Sequence, residues 1–291
     1  MTRIAIVGAG SMGEALLSGF LRSEHHQVKD MAVAEQQPDR ARYIADTYKV
    51  SVRSVAEAVE TAEIVIIAVK PGDVDTVIAE IAKIITAESG DSPVHLLVPI
   101  VAGVTTGYLE SKLPAGIPVV RVMPNTPAQV GVGASVLSRG RFASQEQLDA
   151  VRELFECVGT VQVLPEEQMD AVTAVSGSGP AYFFLLAEAL VDAAVGTGLN
   201  RQAATELAAQ TMAGAAAMLA ERLNQDRLAG AGTSGTAMNT TPAQLRASVT
   251  SPGGTTAAAL RELERGGLRT TVDAAVRAAK TRSEQLILTS E

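Results

Sequence analysis

The sequence predicts an α/β amino-terminal half, a doubly wound and mostly parallel sheet, followed by an all-α carboxyl-terminal half. Three observations predict it. Over the first 165 residues, short β-branched runs alternate with amphipathic stretches of helical period, the pattern of strands joined by crossover helices. A glycine-rich turn stands between the first such strand and the first such helix. Beyond Pro165 the strand pattern stops, and long stretches rich in Ala, Leu and Val follow. Two domains are therefore expected, 1–165 and 166–291, a division that suits a chain of 291 residues.

Taken in order, residues 3–7 read as a strand, 12–22 as a helix, 31–34 as a second strand and 38–48 as a second helix. Residues 64–69 (IVIIAV) are apolar throughout, as expected of a parallel strand covered on both faces. A helix is expected at 74–85, and strands at 95–98 and 119–123. In the second half, helices are expected at 166–175, 180–195, 201–222, 255–266 and 269–288. The second of these carries only Glu188 and Asp192 as charges between Ala181 and Val195. A helix apolar nearly all round has to be covered on most sides. Five helices hide it poorly, so a subunit interface is expected, the alternative being the central helix of a monomeric bundle. Residues 224–241 are rich in Gly, Ala, Ser and Thr without an apolar period, which reads as a surface loop.

Composition excludes several classes. The net charge is −8, with both signs mixed along the chain, whereas a phosphate-backbone binder needs a clustered basic face. There is no Trp and few aromatic residues, hence few platforms for stacking bases. Nucleic acid is not an expected partner. No apolar run is expected to reach the ~20 residues of a membrane-spanning helix, and the start MTRIAIVGAG lacks the plan of a secretory signal. One cysteine, Cys157, cannot form an internal disulfide and reads as a small core residue. A reducing cytoplasm is expected. The three histidines, His25, His26 and His95, suggest neither a zinc site nor a catalytic triad; no metal is expected.

The turn Gly8-Ala9-Gly10-Ser11-Met12-Gly13 has the spacing G-x-G-x-x-G between strand and helix, the fingerprint of a dinucleotide-binding Rossmann domain. Gly8 permits the tight turn, Gly10 lets backbone approach a pyrophosphate, and Gly13 lets the helix pack on the strand. Ser11, Met12 and Gly13 open the helix and offer free amides. Glu35 ends the second strand, where an acid hydrogen-bonds ribose hydroxyls and repels a 2′-phosphate. That favours NADH; Arg40 and Arg42 stand close enough for a 2′-phosphate, so NADPH stays open. Later strands end in Ala68-Val69-Lys70-Pro71, in Ala102-Gly103 and at Asn125, positions at the carboxyl edge where ligands of such sheets bind. Lys70 orients cofactor or caps a loop. The amide of Asn125 can reach a carboxamide or the substrate.

In the second half, Ser176-Gly177-Ser178-Gly179-Pro180 and Ser251-Pro252-Gly253-Gly254-Thr255-Thr256 each open a helix. Glycines followed by hydroxyls there form a cradle of donors suited to a carboxylate, or simply a capped helix.

The segments 8–13, 68–71, 123–127 (MPNTP), 171–182 (AVTAVSGSGPAY), Gln210-Thr211 and 250–256 (TSPGGTT) together resemble those of pyrroline-5-carboxylate reductases over nearly the whole chain. The resemblance implies reduction of 1-pyrroline-5-carboxylate to L-proline by NADH or NADPH, the last step of proline synthesis. It implies a homodimer through the helical domain and further assembly, commonly a decamer. It implies that Ser251, Gly253, Gly254 and Thr255 hold the substrate carboxylate, with Val249 and Asn125 in the substrate site, and that Thr256 hydrogen-bonds the ring nitrogen. Three features depart from the family: Pro99 replaces a small hydroxyl residue, the loop at 224–241 is longer, and Glu35 replaces serine- or base-containing turns of NADPH-preferring members. A β-hydroxyacid dehydrogenase would share the fingerprint and a helical second domain, but residues 180–222 lack the lysine such enzymes use. A non-catalytic dinucleotide sensor would have no use for the Gly-Gly-Thr-Thr cradle.

Overall fold

A computed structural model describes residues 3–23, 26–87, 95–228 and 241–288. The amino-terminal elements are β1 (Ile4–Val7), α1 (Ser11–Arg22), β2 (Met31–Ala34), α2 (Pro38–Tyr48), β3 (Ser51–Arg53), α3 (Val55–Val59), β4 (Ile64–Ile67), α4 (Val74–Ala87), β5 (Leu96–Pro99) and α5 (Thr106–Lys112). They build a five-stranded sheet in the order β3-β2-β1-β4-β5, parallel at every pairing. The expected fold class is observed. Both faces of the sheet are covered. In β1, Ile4 and Ile6 pack with Leu16, Leu17 and Phe20 of α1, while Ala5 and Val7 pack with Val55, Val74 and Ile78 on the other side. Every residue of β1, β4 and β5 is buried, which is why these strands read as unbroken apolar runs.

The chain continues through β6 (Val120–Met123), β7 (Gly133–Arg139), α6 (Gln145–Glu156) and β8 (Gly159–Val163). These strands form a second sheet in the order β6-β7-β8, antiparallel between β6 and β7 and parallel between β7 and β8. A single parallel bridge, Leu97 to Val119, joins it to the first. The strands β3, β7 and β8 and the helices α3 and α5 are not among the elements expected from sequence.

Where one helix was expected over 166–175, the chain makes a 3₁₀ turn, α7 (Met169–Val172) and a π turn over Thr173–Gly177. Proline 180 has no N–H to give to a ladder, and the Ser178 N–H instead reaches back to the Thr173 carbonyl (2.9 Å). Then follow α8 (Gly179–Gly196), α9 (Arg201–Leu228), α10 (Thr241–Ser248), α11 (Thr255–Arg265) and α12 (Leu268–Glu284). Residues 224–228, expected in a loop, extend α9; the rest of that loop up to 240 lies outside the described residues. The last helix stops at Glu284 rather than 288.

The chain divides into two compact units, one made of residues up to Pro180 together with those from Val276 onward, the other of Ala181–Ala275. Within the second, α8 leaves Phe183, Phe184 and Leu185 exposed by 59%, 69% and 67%. The helical run 166–196 is long and apolar enough to cross a membrane by length and composition, with mean hydropathy 1.3. That corrects the expectation that no apolar run reaches such a length. Its most apolar window is only 17% buried, so the single chain leaves this surface uncovered, as a subunit interface requires. Replacing Leu186 by Asp buries an unpaired carboxylate in that interface. Light scattering on Leu186→Asp is expected to give the mass of one 30.1 kDa chain; the parent's mass would move the interface elsewhere.

Candidate active site

The amino-terminal site begins with close backbone approach. Gly8 has φ +98, and a Cβ there would lie 2.7 Å from the Ala68 carbonyl oxygen at the end of β4. A Cβ on Gly13 would lie 2.1 Å from the Gly8 carbonyl oxygen, so α1 rests directly on the turn that precedes it. Gly10 differs: nothing lies within 4 Å of its missing Cβ. It is the N-cap of α1, with no side-chain cap, so the amides of the first turn face outward with the positive end of the helix dipole. This cradle opens into a cleft of about 990 Å³ lined by Gly8, Gly10, Ser11, Glu35, Ala68 and Lys70 among others, large enough for a dinucleotide. Open backbone, free amides and volume together suit a pyrophosphate.

The Ala9 peptide between these glycines is held from both sides. Glu35 Oε2 accepts the Ala9 N–H (2.9 Å), and Oε1 accepts the Gln37 N–H (2.9 Å). Arg40 Nε donates to the Ala9 carbonyl (2.7 Å), and its guanidinium pairs with Glu14. Glu14 also accepts hydrogen bonds from Tyr43 Oη (3.1 Å) and Tyr48 Oη (2.8 Å). Burial opposes ionisation of Glu14, but the hydrogen bonds from Arg40, Tyr48 and Tyr43 outweigh it and hold the carboxyl below its ordinary value. Arg40 is thus turned inward, whereas Arg42 lies outside, 3.7 Å from Asp39. Five acids (Glu14, Glu35, Glu57, Asp73, Glu80) and three bases (Arg40, Arg53, Lys70) line the cleft. Sequence reasoning placed Glu35 here but missed Glu14, Tyr43 and Tyr48, and read Arg40 as a phosphate ligand or as part of an ordinary charged helix face.

Ala68, Val69 and Lys70 line the same cleft. Lys70 precedes the 3₁₀ turn Pro71–Asp73 without capping it by side chain, and its carbonyl accepts the Asp73 N–H (2.9 Å). Pro99 ends β5 opposite Ile67. Beyond it, Ala102 packs against Met123 and Met169. Gly103 has φ +78, and its missing Cβ leaves room for the Leu286 carbonyl oxygen, 2.1 Å from the Cβ position. This glycine, expected at the ligand-binding edge of the sheet, makes room for the chain's own carboxyl-terminal end. Asn125, at the end of β6, donates through Nδ2 to the Ser176 carbonyl (3.1 Å) and accepts the Ala134 N–H through Oδ1 (2.8 Å). One N–H and one lone pair remain for a ligand.

Arg121, 3% exposed, pairs with Glu166 at 3.2 Å. Glu166 also accepts the Thr106 N–H (2.7 Å) and Oγ1–H. This half-buried pair ties β6 and the start of α5 to the first residues of the helical stretch, and no sequence motif announces it.

In the second unit, Gly253 has φ +69 with open space at its Cβ position, and a Cβ on Gly254 would lie 2.8 Å from Ser251 Oγ. The Gly254 N–H donates to the Ser251 carbonyl (3.1 Å), closing a turn that ends in α11. Gly254 is the N-cap, again with no side-chain cap. Ser251, Gly253 and Thr255 are exposed, and Thr256 is half-buried. The first amides of α11 thus start without a side-chain cap beside the hydroxyls of Ser251, Thr255 and Thr256, an arrangement able to bind a carboxylate. Val249, just before the turn, is exposed.

His95 is buried, its Nδ1 2.7 Å from the Ala62 carbonyl; His26 meets the Phe20 ring edge-on; His25 lies outside the described residues. Cys157 is the C-cap of α6. Among the described residues no three His, Cys, Asp or Glu side chains cluster as metal ligands do.

Residues 166–286 match the family model described as pyrroline-5-carboxylate reductase dimerisation, and residues 3–102 match that described as NADP oxidoreductase, coenzyme F420-dependent. The chain is 63% identical to a pyrroline-5-carboxylate reductase of Mycobacterium leprae, covering 100% of this chain and 99% of that one. It resembles the solved pyrroline-5-carboxylate reductase of Coxiella burnetii (TM-score 0.83, 32% identity, 99% of both chains). It also resembles the Plasmodium falciparum pyrroline carboxylate reductase solved with NADP bound (TM-score 0.80, 27% identity, 99% and 98%).

A depressed carboxyl in the folded state contributes stability above its unfolded value, and that contribution fades as pH falls through the folded one. Glu14→Gln is expected to cost about 1 kcal/mol at pH 7, with the gap to the parent closing as the pH falls below the ordinary carboxylate range. Urea unfolding at pH 7 and at a pH well below the carboxylate range checks this; an equal gap at both would remove Glu14 ionisation from the clamp.

Proposed function

This chain belongs to the pyrroline-5-carboxylate reductase family, and on that premise we propose the part that each of its residues takes. The enzyme is an oxidoreductase that reduces 1-pyrroline-5-carboxylate to L-proline with NAD(P)H, the last step of proline biosynthesis. It forms homo-oligomers. We assign dinucleotide binding to residues 1–165 and dimerisation with substrate binding to 166–291, a division supported by the span of the dimerisation match.

NAD(P)H, when bound, supplies the hydride. The amides of Ser11, Met12 and Gly13 and the bare backbone of Gly10 take the pyrophosphate. Glu35 keeps the Ala9 and Gln37 amides and accepts ribose hydroxyls through its remaining lone pairs. Ala68, Val69, Lys70, Pro71, Ala102, Gly103 and Asn125 flank the nicotinamide end. In the helical half, Ser251, Gly253, Gly254 and Thr255 hold the substrate carboxylate, with Val249 beside them and Asn125 reaching substrate. Thr256 accepts the ring N–H of the protonated imine through its hydroxyl. A cyclic iminium already carries its proton on nitrogen and takes hydride at carbon, so orientation supplies much of the catalysis. The observation that carries this assignment is the start of α11, an uncapped helix terminus flanked by Ser251, Thr255 and Thr256.

NADH is the proposed physiological reductant. Acids outnumber bases five to three around the cleft, and Arg40 is committed to Glu14 and the Ala9 carbonyl, which disfavours an added 2′-phosphate. Assembly of dimers into a decamer, and a cytoplasmic setting, complete the reading.

Oxidation of NADH with the cyclic imine as substrate tests the activity. Thr256→Ala is expected to lower kcat/KM for the imine about tenfold, the size of one charge-assisted hydrogen bond, with NADH affinity unaltered; unchanged turnover would remove Thr256 from the mechanism. In parallel kinetics, Glu35→Ala is expected to shift the NADH/NADPH ratio of kcat/KM about tenfold towards NADPH. A constant ratio would contradict the role given to Glu35.

A further inference from the structure

From Val276, midway along α12, the chain belongs again to the unit that contains the amino-terminal sheet. Ser283, 2% exposed, donates its hydroxyl to Asp170 Oδ1 (2.6 Å). The N–H groups of Leu286 and Ile287 close turns onto the Ser283 and Glu284 carbonyls (3.0 and 3.3 Å), which bends the chain off the helix axis. The Leu288 N–H then donates to the Gly103 carbonyl (3.0 Å), and the Leu288 side chain packs on the buried cluster containing Val101, Val104 and Tyr108.

The receiving loop follows β5. Its last tie to the sheet is the Ile100 N–H on the Ile67 carbonyl (3.0 Å). Val101 and Val104 are then buried on one side, and Ala102 faces Met123 and Met169 on the other. Gly103 between them has left-handed φ and sits so close to Leu286 that any side chain would collide with its carbonyl. Both features demand glycine, and both are met by the carboxyl-terminal segment.

We propose that residues 283–288 form a positioning strap that holds the loop 101–104 in the shape required at the nicotinamide end of the bound dinucleotide. Leu286 and Leu288 touch neither cofactor nor substrate; they act through Gly103. The inference rests on the reading of Ala102 and Gly103 as part of the cofactor wall.

Titration of NADH fluorescence, with steady-state kinetics and circular dichroism, tests it. Leu288→Pro removes the N–H given to Gly103, and Leu288→Ala keeps it. Leu288→Pro is expected to raise the Kd and KM for NADH about fivefold, the worth of one neutral hydrogen bond, while KM for the imine and the spectrum stay unchanged. Leu288→Ala restores most of the loss, which a merely structural contact at this side chain would not. Unchanged NADH affinity in Leu288→Pro, or in a folded truncation ending at Gln285, overturns the strap. Gly10→Glu separates the two claims. If Gly10→Glu abolishes NADH binding while Leu288→Pro is silent, the strap alone fails; if both bind NADH normally, the assignment of the cofactor site fails with it.

Discussion

The amino-terminal half depends on how closely the backbone of α1 approaches the ends of β1 and β4. With Gly8 against Ala68 and Gly13 against Gly8, a single added methyl group at either position would need backbone to move, and packed interiors do not yield by that much. This approach aims the first turn of α1 into the cleft. The Ala9 peptide lies within it, and Glu35 and Arg40 fix both its polar ends. A loop of small residues is intrinsically mobile; here its shape is prepared in advance, which reduces the ordering cost of binding. The Glu14, Tyr43 and Tyr48 contacts keep Arg40 in place, so the arginine acts on the loop rather than on a ligand.

Much of this was legible in the residues. The apolar run of β4 and the glycine turn after β1 announce a parallel sheet and its ligand, because periodicity and φ > 0 are local properties. β3 was not legible: three residues, Ser51-Val52-Arg53, at a sheet edge, with two of them exposed, carry no alternation to read. β7 and β8 were missed because Gly133, Ser135 and Gln162 interrupt their apolar pattern, and pairing across the chain supplies what propensity lacks. The inward turn of Arg40 and the pairing of Arg121 with Glu166 depend on partners 26 and 45 positions away. The Gly103 contact with Leu286 spans most of the chain. Gly103 was legible as a residue of the sheet's ligand edge, but its contact with Leu286 was not.

The helical half follows another logic. An apolar helix with its Phe and Leu side chains left outward is poor in a monomer, and membership in a dimerising family accounts for it. The turn before α11 repeats the device of the amino-terminal half: a glycine N-cap and no side-chain cap at a helix start. One such terminus suits a pyrophosphate and the other a carboxylate, so under the proposed assignment a single physical motif serves both reactants of the hydride transfer.

A crystal structure of the chain with NADH and L-proline bound tests this account most directly. It predicts pyrophosphate oxygens within hydrogen-bonding distance of the amides at the start of α1, and the proline carboxylate on the amides and hydroxyls of residues 251–256. A dinucleotide bound away from the Gly8 turn, or a carboxylate held anywhere else on the chain, would contradict it.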